Sequence, residues 1–183
     1  MTHIAGKKIA VLSTNGVEQV ELTKPLESIK AHGGTAHLVS PEEGQIQAMK
    51  SDWEHAEHFD VDVALASADP ADYDALVLPG GTLNADTVRI NEAAQSFVKA
   101  FFDAGKPVAA ICHGPWILTE VGVLAGRTVT SFPSLRTDLV NAGAQWVDQS
   151  VVVSNNLVTS RNPGDLDDFN RSFLELVAGG ESS

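Results

Sequence analysis

Short apolar runs alternate with longer amphipathic stretches along this chain. Residues 8–13 (KIAVLS), 35–40 (TAHLVS), 73–78 (YDALVL) and 107–111 (PVAAI) are apolar, brief and bounded by turn residues. They read as buried strands. After the first, Val17, Val20, Leu22, Leu26 and Ile29 recur at roughly helical spacing up to His32, and Gly33-Gly34 ends the pattern. Pro25 inside it predicts a kink or an early break. The polar stretch 41–62 predicts a hairpin or loop excursion around residues 45–50. Further helices are predicted over 91–104, stopped by Gly105, and over 114–121, 133–141 and 165–177. Short strands are predicted near 127–131, 145–153 and 157–160, and residues 179–183 read as a frayed tail.

Strands alternating with helices imply an α/β fold: one domain over residues 1–183, a three-layer sandwich with a mostly parallel central sheet. Ligand sites in such sheets lie at the carboxyl ends of the strands. Three segments fall there: residues 15–21, 79–81, and the pair Cys112-His113.

Composition narrows the function classes. The chain has 183 residues, 43% hydrophobic, enough for one sizeable core. No apolar run approaches the ~20 residues of a membrane span. The formal charge of −12 disfavours nucleic acid, whose phosphates need clustered Lys and Arg. The acidic residues are spread out, densest over 52–62, and read as solvated surface. One cysteine forbids an internal disulfide. With no signal-like start, that points to a reducing, cytoplasmic setting.

Cys112 falls where a strand gives way to a helix. Unpaired N–H groups and the helix dipole there stabilise a thiolate, and Gly114 suits the strained turn of a nucleophile elbow. The same position also suits an inert, buried cysteine. His113 offers a base, but adjacent residues in a helix do not face each other. Gly80 and Gly81 would let backbone amides approach a reacting oxygen, or simply make a turn. Glu18 and Glu21 share a helix face near its start, where acids also complement the dipole. His55 and His58, spaced for one helix face, lack a convincing further set of metal ligands, so no metal is expected. Six histidines are present and His113 is the last. No downstream histidine of the same chain can therefore serve Cys112.

Taken together, NGVEQVEL, YDALVLPGG, GKPVAAICHGPWIL and NPGDL resemble the PfpI-type intracellular cysteine peptidase family. That family lies within the superfamily of the Parkinsonism-associated deglycase, with a class I glutamine-amidotransferase-like (flavodoxin-like) fold. The likeness runs from Lys8 to about Leu176. It implies that Cys112 is the nucleophile, that Glu21 hydrogen-bonds its sulfur, and that Glu18 is the motif's other acid. Gly81, beside Gly80, and His113 would supply oxyanion-hole amides. His113 would also belong to a Cys-His-acid triad whose acid comes from a neighbouring subunit. Asp86 aligns best with that acid, where peptidase members carry Glu and other members Asp.

The resulting expectation is a stress-response protein acting through Cys112 on small reactive carbonyls, in a glyoxalase or deglycase manner, without cofactor or metal. The alternatives are a cysteine peptidase and a non-enzymatic redox sensor oxidised at Cys112. A homodimer or higher homo-oligomer is expected, with small carbonyl compounds or peptides as partners, and no nucleic acid or membrane.

Overall fold

The structure, a computed structural model, describes residues 2–179. Seven strands form the central sheet: β1 (Lys8–Leu12), β2 (Thr35–Ser40), β5 (Val63–Ala64), β6 (Ala75–Leu78), β7 (Val108–Ile111), β10 (Val152–Ser154) and β11 (Leu157–Ser160). Their order is β10-β11-β7-β6-β1-β2-β5. All neighbours are parallel except β10 against β11. Two small ribbons stand apart: β3 (Gln45–Lys50) with β4 (Glu54–Asp60), and β8 (Thr128–Val129) with β9 (Gln145–Trp146).

Alternation along β1 shows why the domain has three layers. Ile9 and Val11 point to one face, where they join Leu22 and Ile29 of α1 (Gln19–Ala31) and Phe169 and Phe173 of α6 (Leu166–Gly179). Ala10 and Leu12 point to the other. There they meet Val88 of α2 (Thr82–Arg89), Phe97 and Phe101 of α3 (Glu92–Asp103), Ile117 and Leu118 of α4 (Ile117–Val121), and Leu139 of α5 (Arg136–Asn141). The expected three-layer α/β sandwich with a mostly parallel sheet is the observed fold.

Four local expectations differ from the structure. Helix α1 runs through Pro25 without ending; Pro25 is itself buried with Leu22 and Ile29, and packing of that face outweighs one missing backbone bond. Helix α2 was not foreseen, because TLNADTVR is polar and short. The strand expected over 145–153 is split between β9 and β10, which belong to different sheets. His55 and His58 lie on a strand rather than a helix, opposite Met49 and Gln47 of β3 across an irregularity in the register. Of the expected tail, Gly179 ends α6 and residues 180–183 lie outside the described residues. No described helix is long and apolar enough to cross a membrane.

The topology gathers the suspect segments. Strands β7, β6 and β1 are consecutive in the sheet, so the chain following each emerges side by side. The chain leaves β1 for β2 on one side and later returns to β6 on the other. The β1/β6 boundary is thus a topological switch point, where α/β sheets place ligands.

Candidate active site

Cys112 follows β7 directly and has φ 61°. An L-residue rarely adopts that conformation, which costs on the order of 1–3 kcal/mol and persists only where its surroundings impose it. Here the Cys112 N–H donates to the Ser160 carbonyl (3.0 Å) and its own carbonyl accepts from the Phe132 N–H (2.9 Å). The twist has a chemical result. It turns two sequence neighbours toward each other, so that Cys112 Sγ lies 3.2 Å from His113 Nδ1. Sequence spacing alone argued against that contact; the left-handed residue between strand and helix permits it.

The loop after β6 comes just as close. At Gly80 a Cβ would lie 2.8 Å from Cys112 Cβ and 2.9 Å from the Ile111 carbonyl oxygen, and would overlap Glu21 Oε1. Only glycine admits this approach. Gly81 has φ 86°, and a Cβ there would collide with the Gly16 carbonyl and the Glu18 amide. The backbone N–H groups of Gly81 and His113 lie near the Cys112 sulfur and favour its ionised form. Those are the two amides expected to form an oxyanion hole.

Glu21, in the first turn of α1, is fully buried. Its Oε1 accepts the Gly80 N–H at 3.0 Å, its Oε2 is buried without a hydrogen-bond partner, and the side chain lines the same cavity as Cys112. Burial, and then the neighbouring Glu18 charge, push its carboxyl up to about 8. Glu21 therefore holds a proton at neutral pH. Burial also pushes the Cys112 thiol up, and an ionised Glu21 would push it further; the Gly81 and His113 amides pull the other way. Position after a strand predicted a lowered thiol. The structure adds desolvation, which opposes it, so a thiolate at Cys112 would need a base to remove the thiol proton.

His113 is the histidine placed beside the thiol. It is buried, its ring stacked on Phe132 with centroids 4.6 Å apart, and Trp116 meets it edge-on. Burial lowers its pKa, partly offset by the charge of Asp52, so the neutral imidazole is favoured. Its other nitrogen, Nε2, faces Ser134 Oγ at 3.3 Å and Thr82 Oγ1 at 3.5 Å.

A cavity of about 270 Å³ opens onto these groups, lined by Glu18, Glu21, Asp52, Cys112 and His113, with Phe132. Glu18 Oε1 accepts the Ser51 N–H at 3.1 Å, which joins the site to the β3–β4 hairpin. Cys112, His113, Glu21, Glu18, Gly80 and Gly81 are thus brought together. Asp86 is not: it is exposed on α2 and does not line this cavity. Three residues at the site were missed from sequence: Asp52, Thr82 and Ser134. The only signal at Asp52 was acidic density, which read as surface. Among the described residues, no group of three or more His, Cys, Asp or Glu side chains is arranged to hold a metal ion.

Fold and site define a class: parallel α/β proteins with a cysteine on a strained turn at the switch point of the sheet. The chain belongs to the DJ-1/PfpI family, which it matches over residues 7–176. It is 45% identical over 170 residues to deglycase TK1284 of Thermococcus kodakarensis, covering 93% of this chain and 99% of that one. It is 42% identical over 171 residues to the putative cysteine protease YraA of Bacillus subtilis, covering 93% and 98%. Among solved structures, DJ-1beta of Drosophila melanogaster superposes with a TM-score of 0.85 at 28% identity, over 94% of this chain and 91% of that one.

Proposed function

We propose that this protein is a cysteine-dependent, stress-protective enzyme acting on small reactive carbonyl compounds, in a glyoxalase or deglycase manner. One observation carries the reading. Cys112 has a neutral base 3.2 Å from its sulfur and a carboxyl that keeps its proton at neutral pH on another side. A base that accepts and an acid that donates, both at one nucleophile, suit carbonyl addition and proton shuffling. The name of the relative TK1284, a deglycase, agrees.

For a 2-oxoaldehyde such as methylglyoxal the steps balance without a cofactor. Sulfur adds to the aldehyde carbon; its proton passes to His113 Nδ1 and on to the former carbonyl oxygen, giving a hemithioacetal. His113 then takes the C1 proton while Glu21 protonates the C2 oxygen, giving an enediol. Returning the first proton to C2, and the C1 hydroxyl proton to Glu21, gives a thioester. Water splits it, OH going to the acyl carbon and H to sulfur, and a 2-hydroxy acid leaves. The Gly81 and His113 amides face the oxygen where charge develops.

The second reading is a peptidase, favoured by those same two amides and by the name of the relative YraA, a putative cysteine protease. The experiment is turnover of methylglyoxal, of early glycation adducts on amines and of a peptide panel, each beside Cys112→Ala. Carbonyl or adduct turnover lost in Cys112→Ala is expected. Peptide turnover alone would replace the first reading by the second. No turnover, with peroxide oxidising Cys112 selectively, would make the protein a redox sensor.

A further inference from the structure

The tip of the β3–β4 hairpin reaches into the site. Ser51 and Asp52 have φ 53° and 63°; they are the two left-handed residues at the centre of a turn in which the Trp53 N–H closes on the Lys50 carbonyl (3.3 Å), before β3 and β4 pair at Lys50 and Glu54. Neither is glycine, so the turn is strained and needs support from outside. That support comes from the site. The Ser51 N–H is held by Glu18, and the base of the hairpin pairs with the segment after β1 through Gly16 N–H to the Gln47 carbonyl (2.9 Å) and Met49 N–H to the Val17 carbonyl (2.8 Å). Asp52 then spans to α2. Its Oδ1 accepts the Thr82 N–H at 3.0 Å and its Oδ2 accepts the Thr82 hydroxyl at 2.7 Å.

The hydroxyl bond decides the direction of the next one. A carboxylate only accepts, and a hydroxyl has one proton. With that proton given to Asp52, Thr82 Oγ1 can only accept from His113 Nε2. The contact is 3.5 Å, at the long end of hydrogen bonds, as is common before substrate tightens a site. Ser134 Oγ, on the same nitrogen, can donate or accept. One arrangement satisfies both neighbours: a proton on Nε2. In neutral His113 the lone pair then sits on Nδ1, facing the sulfur.

We infer that Asp52, acting through Thr82 within the same chain, is a positioning residue that fixes His113 in the tautomer able to take the proton of Cys112. This deepens the reading above and rests on Cys112 as nucleophile with His113 as its base. It needs no residue of another subunit. The charged and titratable groups that face His113 and Asp52 are Glu18 and Glu21 of the α1 segment and Cys112. The cation Arg89 on α2 is stacked on Trp116, which meets the His113 ring edge-on.

The test reads the imidazole and the thiol directly, without needing a substrate. Nitrogen-15 chemical shifts of labelled His113 report which ring nitrogen carries the proton. Iodoacetamide rates across pH report how readily the thiol is deprotonated. In the parent, Nε2–H is expected. Asp52→Asn keeps an acceptor for the Thr82 N–H, and so the cap on α2, but can donate to Thr82 Oγ1 and free that hydroxyl to point at His113. It should populate the Nδ1–H tautomer and slow alkylation at neutral pH by about tenfold or more. Thr82→Val should do the same from the other end, and Thr82→Ser should restore the parent values. A merely structural Asp52 would lower the melting temperature while shifts and alkylation profile stayed at parent values, and that result overturns the inference. Should Asp52→Asn not fold, Thr82→Val with a parent tautomer overturns it equally. A parent tautomer of Nδ1–H refutes it outright. Loss of carbonyl turnover with these signatures intact would instead count against the proposed reaction.

Discussion

Glu21→Gln should change how stability depends on pH more than it changes stability at any single pH. In the unfolded chain the Glu21 carboxyl loses its proton near its ordinary value of 4.5; in the folded protein it holds it to about 8, chiefly because it is buried. Between those values the folded state binds one more proton than the unfolded state. Linkage then requires stability to fall as pH rises. The contribution is complete below 4.5 and gone once pH has passed about 8. The slope is up to ~1.4 kcal/mol per pH unit, and the whole window is worth on the order of 5 kcal/mol. Glutamine keeps an acceptor for the Gly80 N–H and cannot ionise, so its curve lacks this slope. His113 acts with the opposite sign, since burial lowers its pKa and stability rises as it loses its proton. It is present in both proteins and cancels in their difference. Urea unfolding under reductant, from about pH 5.5 to about pH 8, should show parent and variant diverging by about 3 kcal/mol. Parallel curves would mean that Glu21 is ionised throughout. The acid that donates in the proposed reaction would then be missing.

Gly80→Ala should destabilise the fold by about 1–3 kcal/mol or more, because its Cβ would meet Cys112 and the Ile111 carbonyl and dislodge Glu21; denaturant unfolding and Cys112 alkylation should change together. The protein should form a homodimer or a higher homo-oligomer, since Asp86, exposed on α2 and away from its own cavity, can serve a His113 only across an interface. Light scattering after size exclusion measures this. A monomer that remains active would exclude Asp86 from the chemistry and leave the Asp52–Thr82 contact as the route by which an acid influences His113.

The layers of the fold were legible because burial writes a strong pattern. Ile9 and Val11 on one face and Ala10 and Leu12 on the other are a run that only a doubly covered strand explains. The helix expected over 91–104 appears as α3 with Asn91 capping it and Gly105 in a left-handed turn after it. Capping residues are local signals, and local signals survive reading from sequence. Pro25 misled for the converse reason. Its cost is local, but the packing that outweighs it lies across the molecule.

The site divides along the same line. Cys112, Gly80, Gly81 and Glu21 lie just beyond the ends of three strands, so the strand pattern and the switch-point rule together point at them. What no pattern shows is which partners converge there. The contact between Cys112 and His113 depends on one backbone angle, φ 61° at Cys112, and periodicity carries no information about it. Asp52 is further from view still. It is one acid in an acidic stretch, on a hairpin that belongs to a separate sheet, and composition makes it a surface residue. Its meaning comes from a chain of directions: a carboxylate that only accepts, a hydroxyl with one proton, a ring with two nitrogens. Removing the first link reverses the last. In this protein the residues that carry the chemistry announce themselves by position, and those that orient it do so only through geometry. Changes on the 50–53 turn should therefore reach the reactivity of a thiol just beyond a strand of the central sheet, although no residue of that turn need touch the substrate.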